Sequence, residues 1–192
     1  MKSFKEFMEA KSKTVVFTFG RMNPPTTGHL KLIKKVMMVA KRVGGTPAVY
    51  PSKTEDNNKN PLSFKMKVMA LRDVFGNIID INTSIKTPFD VLASLNKKKV
   101  SKVVFVVGSD RVAEFDKNMR SHIDKNLPNI TDFSVVSAGE RDPDASGVKG
   151  ISGSKMRAFV KDDRFGQFKA GLITKNAKLA KTMFKALKKK LK

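Results

Sequence analysis

The sequence predicts an α/β fold, a Rossmann-like doubly wound parallel sheet of about five strands with helices on both faces and a basic helix at the C-terminus. Three observations predict it. Apolar runs recur at Thr14–Phe19, Lys102–Val107 and Asp132–Ser137, continuous as in strands covered on both sides. Segments with helical spacing lie between the runs. Turn-forming residues follow the first and second clear runs directly, at Gly20 and Gly108. Strands alternating with helices close into a parallel sheet with right-handed crossovers.

Each element follows in order. The first strand runs into the turn Gly20-Arg21-Met22-Asn23-Pro24-Pro25-Thr26-Thr27-Gly28-His29. A helix over Leu30–Ala40 follows, with Leu30, Ile33, Met37 and Ala40 as its apolar face. Pro47–Tyr50 is a weaker strand. The polar stretch Ser52–Asn60 reads as a mobile loop over the ligand end of the sheet. Pro61 and Ser63 are start signals for a helix with Phe64, Val68, Leu71 and Phe75 on one face. Asn77–Ile81 is the other weak strand, and Pro88–Leu95 a short helix. Ala138–Gly150, rich in Gly and Asp, is a second loop. The chain divides into residues 1–12, a lead-in helix or leader, residues 13–163, the α/β domain, and residues 164–192, a basic helical extension. That extension holds ten Lys and Arg and no acidic residue, with Leu179, Met183, Leu187 and Leu191 spaced as one apolar stripe.

Composition narrows the class. With no cysteine there is neither a disulfide framework nor a thiolate metal site. No apolar run approaches the roughly 20 residues of a membrane span. The net charge is +22, from 39 Lys and Arg against 17 Asp and Glu. Such an excess suits a polyanionic neighbour, nucleic acid among them, although a charged solvated surface gives the same count.

The chemistry concentrates where strands meet helices. In an open α/β sheet, ligands bind beyond the carboxyl ends of the strands. A helix start there offers unpaired N–H groups and positive dipole, both suited to phosphate. Gly28 has no Cβ to block a close approach. His29 is a phosphate donor or an acid–base group. A second helix start stands at Ile151-Ser152-Gly153-Ser154, and Arg157 one turn in offers a bidentate fork. Gly108-Ser109-Asp110 follows the run ending at Val107. His122 stands alone and reads as structural or exposed.

Thr26-Thr27-Gly28-His29 resembles the [His/Thr]-x-Gly-His signature of the nucleotidyltransferase superfamily, the cytidylyltransferase-like group. Ile151-Ser152-Gly153-Ser154-Lys155-Met156-Arg157 resembles its Ile-Ser-x-Ser/Thr-x-x-Arg motif, and Gly108-Ser109-Asp110 its Gly-x-Asp element. The resemblance covers roughly residues 14 to 160. It implies transfer of a nucleoside monophosphate, AMP favoured and CMP possible, from ATP or CTP to a phosphorylated small-molecule acceptor, with release of pyrophosphate. His29, Thr26 and Arg157 would then be catalytic. Gly20, Arg21, Asn23, Gly28, Gly108, Asp110, Ile151, Ser152 and Ser154 would bind nucleotide or phosphate. Mg²⁺ is implied with the triphosphate, held by phosphate oxygens and by no protein ligand. Thr26 replaces a histidine that could carry charge, and Arg21 or a lysine would compensate. Asp110 is a ribose contact, an acceptor contact or a helix cap. Nicotinamide-mononucleotide adenylyltransferases often stack the pyridine ring on tryptophan; this chain has none, leaving Phe115 for that place.

The blocks Phe19–His29 and Val136–Ala145 resemble nucleotidyltransferases of large tailed phages. Met1-Lys2-Ser3-Phe4-Lys5-Glu6-Phe7-Met8-Glu9-Ala10 resembles a capsid-targeting leader, with cleavage between Glu9 and Ala10. The alternative function is therefore a nucleic-acid-binding phage internal (virion) protein with the same fold, with or without activity, and DNA a possible partner. The implied location is the host cytoplasm, or the inside of a phage capsid.

Overall fold

The computed structural model describes residues 13–139 and 151–191. The leader-like segment with Glu9 and Ala10 lies outside the described residues, as does most of Ala138–Gly150. The elements are β1 (Thr14–Gly20), α1 (Thr27–Val43), β2 (Thr46–Pro51), α2 (Phe64–Phe75), α3 (Pro88–Lys97), β3 (Lys102–Val107), α4 (Val112–Asn126), β4 (Asp132–Ser137), α5 (Gly153–Lys161), α6 (Phe165–Gly171) and α7 (Ala177–Lys190). Short 3₁₀ turns stand at Gly76–Ile78 and Ser109–Arg111.

The four strands are parallel, in the order β2-β1-β3-β4. Phe17 pairs with Ala48 on one side and Phe105 on the other. From β1 the chain first winds outward to β2 and then returns to β3 on the opposite side. The crevice where winding reverses is thus at the carboxyl ends of β1 and β3. Strand alternation gives each face its own core. Phe17, Val103 and Phe105 pack with Leu92, Leu95, Met119 and Ile123 of α3 and α4. Val16, Val104 and Val106 pack with Val36, Val39 and Ala40 of α1. The Phe17 and Phe105 rings stack at 4.5 Å, tying the two central strands together.

Four strands form among the described residues, where about five were expected. After α2, Gly76 takes a left-handed φ of 59° and the chain turns through Gly76–Ile78. Only Ile79 reaches the sheet, as a single parallel bridge to Val49. Asp80 then accepts the Asn82 N–H and turns the chain away. The buried face of α1 is Ile33, Val36, Val39 and Ala40, not the expected stripe through Met37, which is 44% exposed. The face of α2 is likewise rotated onto Lys67, Ala70 and Leu71, leaving Phe64, Val68 and Phe75 half-buried. Ser63 caps α2, its Oγ accepting from Met66 N–H. β4, at the sheet's edge, buries only Phe133.

α7 packs inward. Ala180, Met183, Phe184 and Leu187 join Met156, Phe159 and Val160 of α5, Phe168 of α6 and Leu62 in one core. The stripe is therefore Ala180-Met183-Phe184-Leu187, with Leu179 and Leu191 at its margin. Among the described residues no helix is long and apolar enough to cross a membrane.

Candidate active site

The turn after β1 is fixed from beneath. Gly20 O accepts the Ser52 N–H at 2.8 Å, tying the ends of β1 and β2 together. Met22 is buried with φ 43°, a left-handed conformation uncommon for a side-chain-bearing residue. Asn23 is 4% exposed. Its amide donates to Leu62 O at 3.0 Å and its Oδ1 accepts the Leu62 N–H at 2.9 Å. That amide clamps the turn to the segment entering α2.

Thr26 begins α1 and is fully buried. Its backbone N–H lies 3.0 Å from His29 Nδ1 and its Oγ1 2.8 Å from the same atom. A backbone N–H can only donate, so Nδ1 must accept. The hydroxyl then donates as well, and in the neutral ring the proton belongs on Nε2. Thr26 thus stands behind the imidazole and sets its tautomer; it is not placed to meet a ligand directly.

Gly28 is exposed, but a Cβ there would come within 2.9 Å of Ile151 O. The close approach that needs glycine is between α1's start and the strand of chain entering α5. Gly153 adds to it: a Cβ there would lie 3.1 Å from Asn23 O. Two helix N-termini are so pressed together. Ile151 is buried in the α5–α7 core, and Ser152 caps α5 through the Lys155 N–H.

Arg157 projects from the first turns of α5 back toward the β1 turn. Nη1 donates to Asn23 O at 2.8 Å and Nη2 to the exposed Ser154 Oγ at 3.1 Å. Burial, and then the neighbouring Arg21 guanidinium, hold its pKa below the usual arginine value, with Asp56 opposing. Arg21 is exposed. Neither guanidinium has an ion pair among the described residues. Two like charges share a site whose backbone donors add more positive potential, an arrangement suited to a multiply charged anion.

Gly108 and Asp110 lie past the end of β3, across the switch point from β1. Asp110 is exposed, 3.6 Å from Arg111 Nε. Phe115 sets its ring edge-on to Phe105 at 5.2 Å and packs on the sheet core. His122 lies edge-on to Phe89 and beside Asn126. Among the described residues no three metal-ligating side chains converge.

Three parts of the site's frame go beyond the sequence reading, which placed the loop 52–60 at the site but not the way it closes. Lys67 is fully buried under the β2 end, its Nζ donating to Ser52 O. Burial pushes it down to about 8 against the pull of Glu55. The signal was a lysine one turn past the Ser63 cap, on a stripe that proves buried. The loop 52–60 closes on Asp56, whose Oδ1 accepts from Asn58, Lys59 and Asn60 N–H groups. The segment after α6 reaches the first turn too: Thr26 bridges Leu172, and Ile173 N–H donates to Pro25 O.

The family model described as cytidylyltransferase-like matches residues 17–159. The chain belongs to the cytidylyltransferase-like family, a nucleotidyltransferase family, and all the motif residues above fall inside the match. No curated protein matches the chain. Similar solved structures include one assigned as a nicotinate-nucleotide adenylyltransferase from Vibrio parahaemolyticus, at 14% identity and TM-score 0.55, covering 89% of this chain and 98% of that one. Another is the Plasmodium falciparum nicotinic acid mononucleotide adenylyltransferase complexed with NaAD, at 13% identity and TM-score 0.55, covering 90% and 95%. The same enzyme complexed with APC gives 13% identity and TM-score 0.54, with the same coverage. At this identity the likeness is one of fold.

Proposed function

We propose that the protein transfers a nucleoside monophosphate, AMP in preference to CMP, from a nucleoside triphosphate to a phosphorylated acceptor. The observation that carries this reading is the pair of guanidiniums, Arg21 and Arg157, with no ion pair among the described residues, beside two helix N-termini and a histidine with Nδ1 already occupied. An acceptor phosphate oxygen attacks the α-phosphorus, the bond to the bridging oxygen of the β-phosphate breaks, and pyrophosphate leaves with that oxygen. His29 donates from Nε2 to the α-phosphate oxygens as charge grows there. Arg157, Arg21, Ser154 and the α5 N–H groups hold the β- and γ-phosphates. Such a reaction asks the protein for position and positive potential more than for covalent chemistry. Bound with the triphosphate, Mg²⁺ would offset part of its charge, with phosphate oxygens and water as ligands. The preference for AMP rests on Arg157 at the end of the second motif and on the adenylyltransferases named among the similar folds.

Thermal shift with ATP and CTP, each with Mg²⁺, followed by a product screen over phosphorylated acceptors, tests this. One triphosphate should stabilise the protein and yield pyrophosphate with one acceptor class. His29→Ala should lose about 100-fold or more in turnover, the scale of one preorganised donor; near-normal turnover would end the mechanism.

A second reading rests on the charge of +22: a virion protein bound to DNA through its basic surface. Its affinity for duplex DNA should fall with salt at a log–log slope of about −0.9 per phosphate neutralised. No binding at low salt would dismiss it.

A further inference from the structure

Arg157 has a second side. Beyond it opens a polar groove of about 450 Å³, lined by Asn57, Asn58, Ser154, Arg157, Lys161 and Lys190 among others. Three separate parts of the chain build it: the loop 52–60, helix α5 and the end of α7. Ser154, Arg157 and Lys161 stand at i, i+3 and i+7 on one face of α5, so the groove runs about 10 Å along that helix.

Among the described residues the groove's wall has three cations and no acidic side chain. Lys161 and Lys190 have no ion pair among the described residues; the neighbouring Asp163 is taken by Lys188, at 2.7 Å. Asp56, beside the Asn57–Asn58 wall, accepts from the N–H groups of its own loop and from the Asn60 amide, and its charge partly offsets Arg157 at that end of the groove. Lys190 is also held in place, because α7 is anchored by Ala180, Met183, Phe184 and Leu187 in the same core as Met156 and Phe159 of α5. A packed helix brings its terminal lysine to a wall already carrying Arg157 and Lys161. Cations gathered along one wall attract an anion that can lie between them. The asparagine amides and the Ser154 hydroxyl add neutral hydrogen-bonding partners.

We propose that this groove is a second phosphate subsite, completed by the C-terminal helix, that takes a further phosphate of a ligand held at its other end by Arg157. This rests on the reading of Arg157 as a phosphate ligand. The further phosphate belongs either to the far end of the triphosphate or to a multiply phosphorylated acceptor, such as the 5′-phosphorylated end of an oligonucleotide. In either case α7 is part of the binding machinery.

Calorimetric titration of the full-length protein tests this with three probes: tripolyphosphate, ATP with Mg²⁺, and a 5′-phosphorylated oligonucleotide. The variant Lys161→Gln/Lys190→Gln is compared with Lys97→Gln/Lys98→Gln, which removes the same charge from exposed positions at the end of α3, outside the groove and outside α7. The groove pair should weaken at least one probe about tenfold, the scale of losing charge-assisted hydrogen bonds, while the control pair leaves it within about twofold. Weakened ATP assigns the groove to the triphosphate's far end; weakening of the oligonucleotide alone assigns it to the acceptor. If no probe separates the two variants, the subsite is refuted. In that event, ATP binding that is still lost in Arg157→Ala leaves the proposed function standing, whereas wild-type protein that binds no triphosphate overturns the function itself.

Discussion

His29 owes its usefulness to what stands behind it. Thr26 meets Nδ1 with two donors, so in the neutral ring the proton belongs on Nε2. Thr26→Val removes one donor and keeps the other. Turnover should fall by roughly fivefold, in line with one hydrogen bond of about 1 kcal/mol, with triphosphate affinity nearly unchanged; equal loss in both would mean Thr26 touches the ligand. This pairing was half legible in the sequence. The motif pointed to both residues, but not to the threonine acting through the histidine, because that depends on α1's first turn folding the imidazole back over its own cap. Lys67 makes the residue-scale test of burial. Its pKa in the folded protein, about 8, lies below its unfolded value. From pH 8 toward 10 the unfolded chain therefore binds more protons, and stability from this group rises with pH across that window. Tyr50, raised to about 12, acts in the opposite sense above pH 10. Lys67→Met should lose the rise, seen as melting temperatures at pH 8 and 10 that differ less than in the wild type; an unchanged difference would show that Lys67 is not the group titrating.

At the scale of elements, the junction of α1 with the start of α5 makes the site. Gly28→Ala places a Cβ 2.9 Å from Ile151 O, a backbone atom that cannot swing aside. The variant should be destabilised by about 1–3 kcal/mol, as overpacking costs, and should bind triphosphate more weakly as the two helix starts part. Unchanged melting and binding would mean the junction is slack. Asp73 ties another pair of elements, accepting from Thr174 Oγ1 and from the Lys175 and Asn176 N–H groups. Those bonds hold its carboxyl below the usual range, the Thr174 hydroxyl most of all. The clear strands were legible because unbroken valine and phenylalanine runs fit a doubly covered sheet. The faces of α1 and α2 were not: runs such as Val36-Met37-Met38-Val39 satisfy several helical phases, and a lysine on the buried side of α2 hides the stripe. Asn77–Ile81 failed as a strand because Gly76 spends the first residues on a turn.

For the molecule as a whole, the sequence made the basic tail look separable, since lysines crowd a narrow apolar stripe. The stripe is wide enough to matter: Ala180, Met183, Phe184 and Leu187 are buried against the helix carrying Arg157. Large apolar side chains contribute about 1.5–3 kcal/mol each when buried, so removing residues 177–191 should cost several kcal/mol and unfold the α5–α6 region. A truncation therefore confounds charge with packing. Exchanging exposed Lys178, Lys181, Lys185 and Lys189 for Gln keeps the core and tests charge alone; a less steep salt dependence of DNA affinity would assign polyanion binding to this face.

Nucleoside triphosphate binding at the Arg21–Arg157 site is the measurement that bears most directly on the whole reading, because it needs no knowledge of the acceptor. Titration of the full-length protein with ATP and with CTP, each with Mg²⁺, should give one-to-one binding of at least one of them. That binding should be lost in Arg157→Ala while the variant's circular dichroism stays that of the wild type. Absence of binding by either triphosphate, or binding indifferent to Arg157, would contradict it.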